Sequence, residues 1–372
     1  MNKVIIFTEG FTPAKQYGGP VVSIQNIINN CKDVKFYVIT SNREKNGKEL
    51  DVVSNKWIEK NGFSIIYVDS KFISIQKLKH LLEEVKPNSV YLNSTYSYKE
   101  IMATNSYAKH NSVKKIIIAP RGQLQDNALN NKKFKKKIYM VLFKLFLNNK
   151  NFIWHSTDVI ETNAIKKRIS NKTNIVEIKN LPTKTCHSNN LSFWGEGKIR
   201  FIYLARIHRL KGLLLAIKAI KQSKCFDKIE FDIYGPISDN AYWDICTKEM
   251  VGYNNIKYCG LVDHDNVSNT LRSYHAYILP TETENYGHSI VEALVNNVPV
   301  IISDKTPWNS LADYCAGFIV KNNVVSEYVD VVDEFCSLNI SDYNKLLKNV
   351  EKYSEEVVFN NEDVEKYDNL FK

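Results

Sequence analysis

The stretch 276-AYILPTETENYGHSIVEALVNNVPVIIS-303 decides the fold. Its ends, 276-AYILP-280 and 298-VPVIIS-303, are short apolar runs of the kind shown by a strand buried on both faces. Between them, 288-HSIVEALVNN-297 places its apolar residues at helical spacing. Strand, helix and strand in that order form a βαβ unit, whose strands run parallel because the helix carries the chain back along the sheet. The loop before the helix holds Glu282 and Glu284 and ends in Gly287, and Glu292 follows one turn into the helix. Three acids here, in a chain with a net charge of +10, need a reason.

The same rhythm runs outward in both directions. Upstream strands are predicted at 3-KVIIF-7, 35-KFYVIT-40, 64-SIIYV-68, 89-SVYLN-93, 115-KIIIA-119, 152-FIWHS-156 and 174-NIVEI-178. After Pro182 the pattern loosens through 183-TKTCHSNNLSFWGEGK-198, a polar segment with two glycines that reads as a linker. Strands resume at 199-IRFIYLA-205, 229-IEFDIYG-235, 256-IKYCG-260, 276-AYILP-280, 298-VPVIIS-303 and 317-GFIV-320, with helices at 211–222, 263–274 and 288–297. Two rounds of alternating strand and helix predict an α/β chain with two Rossmann-like parallel-sheet domains, at 1–182 and 199–350. A charged helical tail, 351–372, follows. At 372 residues the chain is too long for a single core of ordinary size.

Composition excludes several classes. Apolar content of 44% and charged content of 24% are those of a globular protein. The N-terminal MNKVIIFTEGF reads as a buried first strand rather than a signal peptide, and no apolar run approaches the length of a membrane span. Seven scattered cysteines without a CxxC or Cys/His cluster read as reduced cytosolic thiols rather than zinc ligands. The segment 131-NKKFKKKIYMVLFKLFLNNK-150 has seven lysines and no acid, with Phe134, Ile138, Val141, Leu142 and Leu145 at helical spacing. It reads either as a core helix with a solvated lysine face or as a helix resting on anionic lipid through Lys132, Lys133, Lys135, Lys136 and Lys137. Nucleic acid would be a third partner, but no RNP-like aromatics, zinc knuckle or helix-turn-helix pattern supports it.

Open parallel sheets bind ligands at the carboxyl ends of their strands, and four stretches fall there. In 8-TEGFTPAKQYGGP-20, Gly18 and Gly19 permit close backbone approach, and a helix is predicted from Val21. In 204-LARIHRLKG-212, Arg206 and Lys211 offer a fork and a point charge for a diphosphate. In 119-APRGQL-124, Arg121 ends a strand beside Gly122. In the opening stretch, the amides near Gly287, His288 and Ser289 face outward from a helix start, and Glu284 and Glu292 can accept hydrogen bonds from vicinal hydroxyls. Ser289-Ile-Val-Glu292 also matches a capping box, so Glu292 reads equally as a helix cap. No GxGxxG or Walker A motif occurs.

Together these residues resemble the retaining glycosyltransferases of family 4, which have the GT-B fold. The resemblance rests on the Gly18-Gly19 loop, 121-RGQL-124, 206-RIHRLKG-212, 259-CGLV-262 and the E-x7-E pair Glu284 and Glu292, followed by 292-EALVNNVPVIISD-304. It implies two Rossmann-like domains facing a cleft, with a C-terminal helix crossing back to the first. It implies that Arg206 and Lys211 hold the donor's diphosphate, Glu284 the donor sugar and Glu292 the ribose, with backbone support from Gly287, His288 and Ser289. No metal or other cofactor is expected, since no DxD motif is present. Many members carry histidine where this chain has Arg121 and near Asn93.

The expectation is therefore a retaining transferase moving a sugar, UDP-linked by family habit, to a lipid-linked glycan acceptor in bacterial O-antigen or capsule assembly. It would be cytoplasmic and peripheral at the inner face of the membrane, with an anionic membrane surface as partner. The alternatives are another GT-B nucleotide-sugar enzyme, such as an epimerase or a soluble disaccharide or sugar-phosphate synthase, or a non-catalytic scaffold.

Overall fold

A computed structural model of the chain describes residues 1–69, 73–124, 152–183, 193, 195, 197–263 and 266–372. The basic segment 131–150, its five named lysines and most of the 183–198 segment lie outside the described residues. The chain divides into two compact units, Met1–Leu181 with Asn361–Lys372, and Pro182–Asn360.

The first unit contains β1 (Asn2–Phe7), α1 (Gly19–Asn30), β2 (Val34–Ser41), β3 (Ile58–Lys60), β4 (Phe63–Val68), α2 (Ile75–Val85), β5 (Ser89–Leu92), α3 (Tyr98–Ala108), β6 (Lys115–Ile118), β7 (Phe152–Ser156), α4 (Val159–Arg168) and β8 (Ile175–Glu177). The sheet order is β3-β4-β2-β1-β5-β6-β7-β8, parallel except where β3 runs antiparallel to β4. Strand β1 shows why its sequence is continuously apolar. Ile5 and Phe7 enter one core, Val4 and Ile6 another, so both faces of the sheet are covered. The helices begin at local signals. The Ser74 hydroxyl accepts from the Lys77 amide at 3.1 Å to cap α2, and the Asp158 carboxylate accepts from the Glu161 amide at 2.7 Å to cap α4.

The second unit contains β9 (Ile199–Leu204), α5 (Leu213–Gln222), β10 (Ile229–Tyr234), α6 (Asn240–Met250), β11 (Ile256–Gly260), α7 (Val267–Leu271), β12 (Ala276–Leu279), α8 (His288–Val295), β13 (Val300–Ser303), β14 (Gly317–Val320), α9 (Val325–Cys336) and α10 (Ile340–Tyr353). Its sheet runs β11-β10-β9-β12-β13-β14, all parallel. Counted within the unit, that is the doubly wound order 3-2-1-4-5-6, and the order reverses between β9 and β12. The loops leaving these two neighbours meet at the carboxyl end of the sheet.

Tyr353 and Val358 remain in the second unit's core, and the chain returns to the first unit only with α11 (Asn361–Phe371). There Tyr367, Leu370 and Phe371 join the core formed by Val4, Ile6 and Phe36, with the Phe371 ring 5.4 Å from Phe36 and 5.9 Å from Tyr91.

The predicted strands are present within a residue or two of their expected bounds. Strand β3 was not anticipated, because 58-IEK-60 is short, charged and at the sheet edge. The helix bounds differ more, although α8 departs only in ending at Val295 instead of 297. Helix α1 starts at Gly19 rather than Val21, with Gly18 as its cap and Pro20 in its first turn, where a missing amide proton costs nothing. Helix α5 starts at Leu213, since Arg209–Lys211 forms a separate 3-10 turn. Within 263–274 the helix α7 covers only Val267–Leu271.

Candidate functional site

Two loops flank the point where the second sheet reverses order. One leaves β9 at Leu204 and carries Arg206 and Lys211, and the other leaves β12 at Leu279 and carries Glu284. The loops are stitched together through backbone. The Leu210 carbonyl accepts from the Glu282 amide at 2.9 Å and from the Thr281 hydroxyl at 3.0 Å. Gly212 sits at φ 68, and a Cβ there would lie 1.9 Å from the Pro280 carbonyl oxygen, so no side chain fits between the loops. From beneath, the Tyr203 hydroxyl bonds both the Arg206 and the Lys211 carbonyl at 3.4 Å. The Glu284 amide donates to the Lys305 carbonyl at 3.1 Å, and the Ser303 hydroxyl to the Thr281 carbonyl at 2.5 Å.

On this frame the Lys211 ammonium meets the Glu284 carboxylate at 2.5 Å, with about one sixth of each side chain exposed (15% and 17%). Arg206 is exposed and bears no ion pair among the described residues. His208 caps the intervening 3-10 turn, its Nδ1 accepting from the Leu210 amide at 3.2 Å, so the ring proton sits on Nε2. Burial, then the Arg206 charge, pushes its pKa down and keeps the imidazole neutral. The turn thus presents cations without an added histidine charge.

Helix α8 begins directly behind Glu284. Its cap is Gly287 at φ 76 and ψ 58, and no side chain caps its first amides. The helix N-terminus therefore carries a partial positive charge that suits an oxygen-rich ligand. The Ser289–Glu292 capping box predicted as one alternative does not form. Gly287 turns the chain two residues early, Ser289 lies inside the helix, and its hydroxyl pairs with the Tyr277 hydroxyl at 2.8 Å. The Glu292 carboxylate has no hydrogen-bond partner among the described residues, and burial pushes its pKa up to about 7. A desolvated carboxylate without a partner is a poor structural element and a good acceptor for ligand hydroxyls.

The remaining predicted residues lie in the first unit. Gly18, at φ 64, and Gly19 form the start of α1. Arg121 does not present a free guanidinium. Its Nε donates to Asn93 Oδ1 at 2.8 Å, one terminal nitrogen to Asn180 Oδ1 at 2.5 Å and the other to the Tyr91 hydroxyl at 2.8 Å. Arg121 and Asn93 thus bond to each other. The Tyr91 hydroxyl in turn meets His155 Nδ1 at 2.7 Å, while His155 Nε2 donates to the Ile178 carbonyl at 2.9 Å. Burial, then the Arg121 charge, pushes the His155 imidazole down to about 3, so it is neutral. Behind the turn, Glu161 accepts from the Gly122 amide at 2.5 Å and from the Thr157 amide at 2.8 Å.

Four positioning residues were missed from sequence: Tyr203, Tyr277, Thr281 and Ser303. Each is buried at a strand's end or in its interior, where it reads as core. The available signal was a tyrosine hydroxyl in an aliphatic strand, which must find a partner. Among the described residues no group of three or more His, Cys, Asp or Glu is placed to hold a metal ion, and no helix is long and apolar enough to cross a membrane.

Residues 190–357 match the family model described as Glycosyl transferases group 1. No curated protein sequence matches the chain. Among solved structures, sucrose-phosphate synthase from Thermosynechococcus elongatus is similar over 100% of this chain and 98% of its own, with a TM-score of 0.76 and 13% identity. WaaG, a glycosyltransferase involved in lipopolysaccharide biosynthesis, is similar over 99% of both chains, with a TM-score of 0.68 and 12% identity. Anabaena HepE, solved with UDP-glucose, covers 100% of this chain and 98% of its own, with a TM-score of 0.69 and 12% identity. Residues 190–357 thus carry the group 1 glycosyltransferase pattern, on a chain whose whole length has the GT-B fold.

Proposed function

We propose that the protein is a retaining glycosyltransferase of family 4 that takes its sugar from a nucleoside diphosphate donor, with uridine as the favoured base. The observation that carries this reading is the Lys211–Glu284 pair at the sheet's reversal point, beside the uncapped start of α8 and the unpartnered Glu292. In the reaction the bond from the sugar's anomeric carbon to the diphosphate breaks, and charge gathers on the leaving oxygens. Arg206, Lys211 and the α8 amides stabilise that charge, which is where preorganised donors act most strongly. Glu284 accepts from the sugar's hydroxyls and Glu292 from the ribose. The acceptor hydroxyl joins the anomeric carbon on the face the diphosphate leaves, and its proton passes to a leaving phosphate oxygen. This route needs no protein nucleophile and no metal, so transfer should survive a chelator.

The acceptor we favour is a lipid-linked glycan in surface polysaccharide assembly at the inner membrane face. The basic composition of 131–150 supports a membrane partner, and the involvement of the structurally similar WaaG in lipopolysaccharide biosynthesis supports the pathway class. Titration calorimetry against UDP, GDP, ADP and CMP tests the donor, with tight binding of one nucleoside diphosphate expected and none fatal to the reading. Product analysis with donor alone separates transfer from epimerisation, which needs no acceptor. Flotation with anionic liposomes tests the membrane. Changing Lys132, Lys133, Lys135, Lys136 and Lys137 to Ser should release the protein, and unchanged binding would remove that support.

A further inference from the structure

Six cysteines are described and none is in a disulfide. Cys31 and Cys246 are buried, and Cys259 and Cys315 are exposed. Cys225 and Cys336 differ from all of these because the turn that carries one is bonded to the helix that carries the other. Cys225 lies in the turn leaving α5, where its amide donates to the Ser223 hydroxyl at 3.1 Å. Cys336 is the last residue of α9. One turn earlier on α9, a single Asp333 oxygen accepts from the Ser223 hydroxyl at 2.6 Å and from the Lys224 amide at 3.0 Å. That clamp fixes the α5 turn on the last turn of α9 and sets the two thiols against each other. Both are part-exposed at the edge of the second unit's core, so a small reagent can reach them.

We propose that Cys225 and Cys336 are a redox-active dithiol that closes to a disulfide in exchange with a low-molecular-weight disulfide such as oxidised glutathione. The order of attack follows from the surroundings. Cys225 sits in a turn and Cys336 at the end of a helix, where burial and then the neighbouring Cys225 push the Cys336 thiol's pKa up, so the first attack is assigned to Cys225. Cys225 gives its proton to solvent and attacks one sulfur of oxidised glutathione, which releases one glutathione thiolate and leaves a mixed disulfide. Cys336 then loses its proton and attacks the Cys225 sulfur, releasing the second glutathione. Two protein thiols are oxidised, and their two electrons reduce one glutathione disulfide to two glutathiones. The new bond staples α5 to α9 across β10 to β14, and so constrains the unfolded second unit.

The test uses the full chain equilibrated in glutathione buffers of graded potential, quenched by alkylation and mapped by peptide mass spectrometry. The expected result is a Cys225–Cys336 linked peptide, with Cys259 and Cys315 still alkylated. The oxidised protein should unfold at a higher temperature, and dithiothreitol should reverse that shift. Cys336→Ser should accumulate glutathione on Cys225 on the order of ten-fold above wild type, because the resolving thiol is gone. Cys225→Ser should show no link and little adduct on Cys336. Alkylation of both cysteines without a linked peptide at every potential would overturn the proposal, as would glutathione carried separately on both. The wild-type map decides the matter even if a serine variant folds poorly.

Discussion

Lys211 and Glu284 stand 73 positions apart in the chain and 2.5 Å apart in space. Each neutralises the other while the loops of β9 and β12 hold them, so a diphosphate and a sugar arriving together must divide the pair between them. Lys211→Ala or Glu284→Ala should therefore lower sugar transfer on the order of 100-fold or more. The exchange Lys211→Glu with Glu284→Lys should restore the ion pair and most of the stability lost in either single exchange, but not transfer. Thermal unfolding and initial rates measured on the same samples check both halves. An active double exchange would remove the assigned roles.

Glu292 links the site to pH. Its folded pKa, about 7, is raised above the ordinary 4.5, so the folded state holds a proton that the unfolded state has released between those values. Its contribution to stability is full below about pH 4.5 and is lost as pH rises towards 7. Glu292→Gln should raise the unfolding midpoint at pH 8 and leave it nearly unchanged at pH 4.5. Nucleotide affinity in the wild type should strengthen from pH 6 to pH 8, as the carboxylate gains its charge for the ribose hydroxyls. In the glutamine variant that slope should vanish, and calorimetry at the two pH values reads it.

Two glycines separate backbone strain from collision. Gly212 and Gly252 both have positive φ, 68 and 86, but only Gly212 has backbone against its missing side chain. Gly252→Ala should cost about 1 kcal/mol, the penalty of a left-handed alanine. Gly212→Ala adds a 1.9 Å clash with the Pro280 carbonyl and should cost several-fold more, with loss of transfer as the two loops part. Chemical denaturation measures the difference directly.

Arg121 should behave as a structural residue of the first unit. Arg121→Ala leaves Asn93, Asn180 and the Tyr91 hydroxyl without their donor, at a cost of about 2–4 kcal/mol for three buried residues. Nucleotide affinity should stay within about two-fold of wild type, since the groups assigned to the nucleotide lie in the other unit. A large loss of affinity in a fully folded Arg121→Ala protein would return the guanidinium to the ligand.

The architecture was legible because burial on both faces writes itself into a strand as an unbroken apolar run. Val4 through Phe7 feed two cores by turns, and no other environment asks for that pattern. The edge strand at 58-IEK-60 has no such constraint and carries no signal. The candidate site's parts were legible as residue types at strand ends, but their partners were not. Lys211 finds Glu284 only because β9 and β12 are neighbours, and sheet order is not a local property of either segment. Ser289 and Glu292 show the opposite failure. Their spacing fits a capping box, yet the turn at Gly287 and the Tyr277 hydroxyl decide otherwise. The partners of Arg121 were hidden for a related reason, since Tyr91 in β5, Asn93 just after it and Asn180 are all far away in sequence.

The last twelve residues belong to the unit that the first ones begin. The second unit, Pro182–Asn360, is one uninterrupted piece of chain and can complete its core from its own residues. The first unit cannot close on Met1–Leu181 alone, because Tyr367, Leu370 and Phe371 pack into the core that holds Ile6, Phe36 and Tyr91. Loss of α11 therefore opens the first unit to proteases and leaves whole the segment that holds the catalytic candidates.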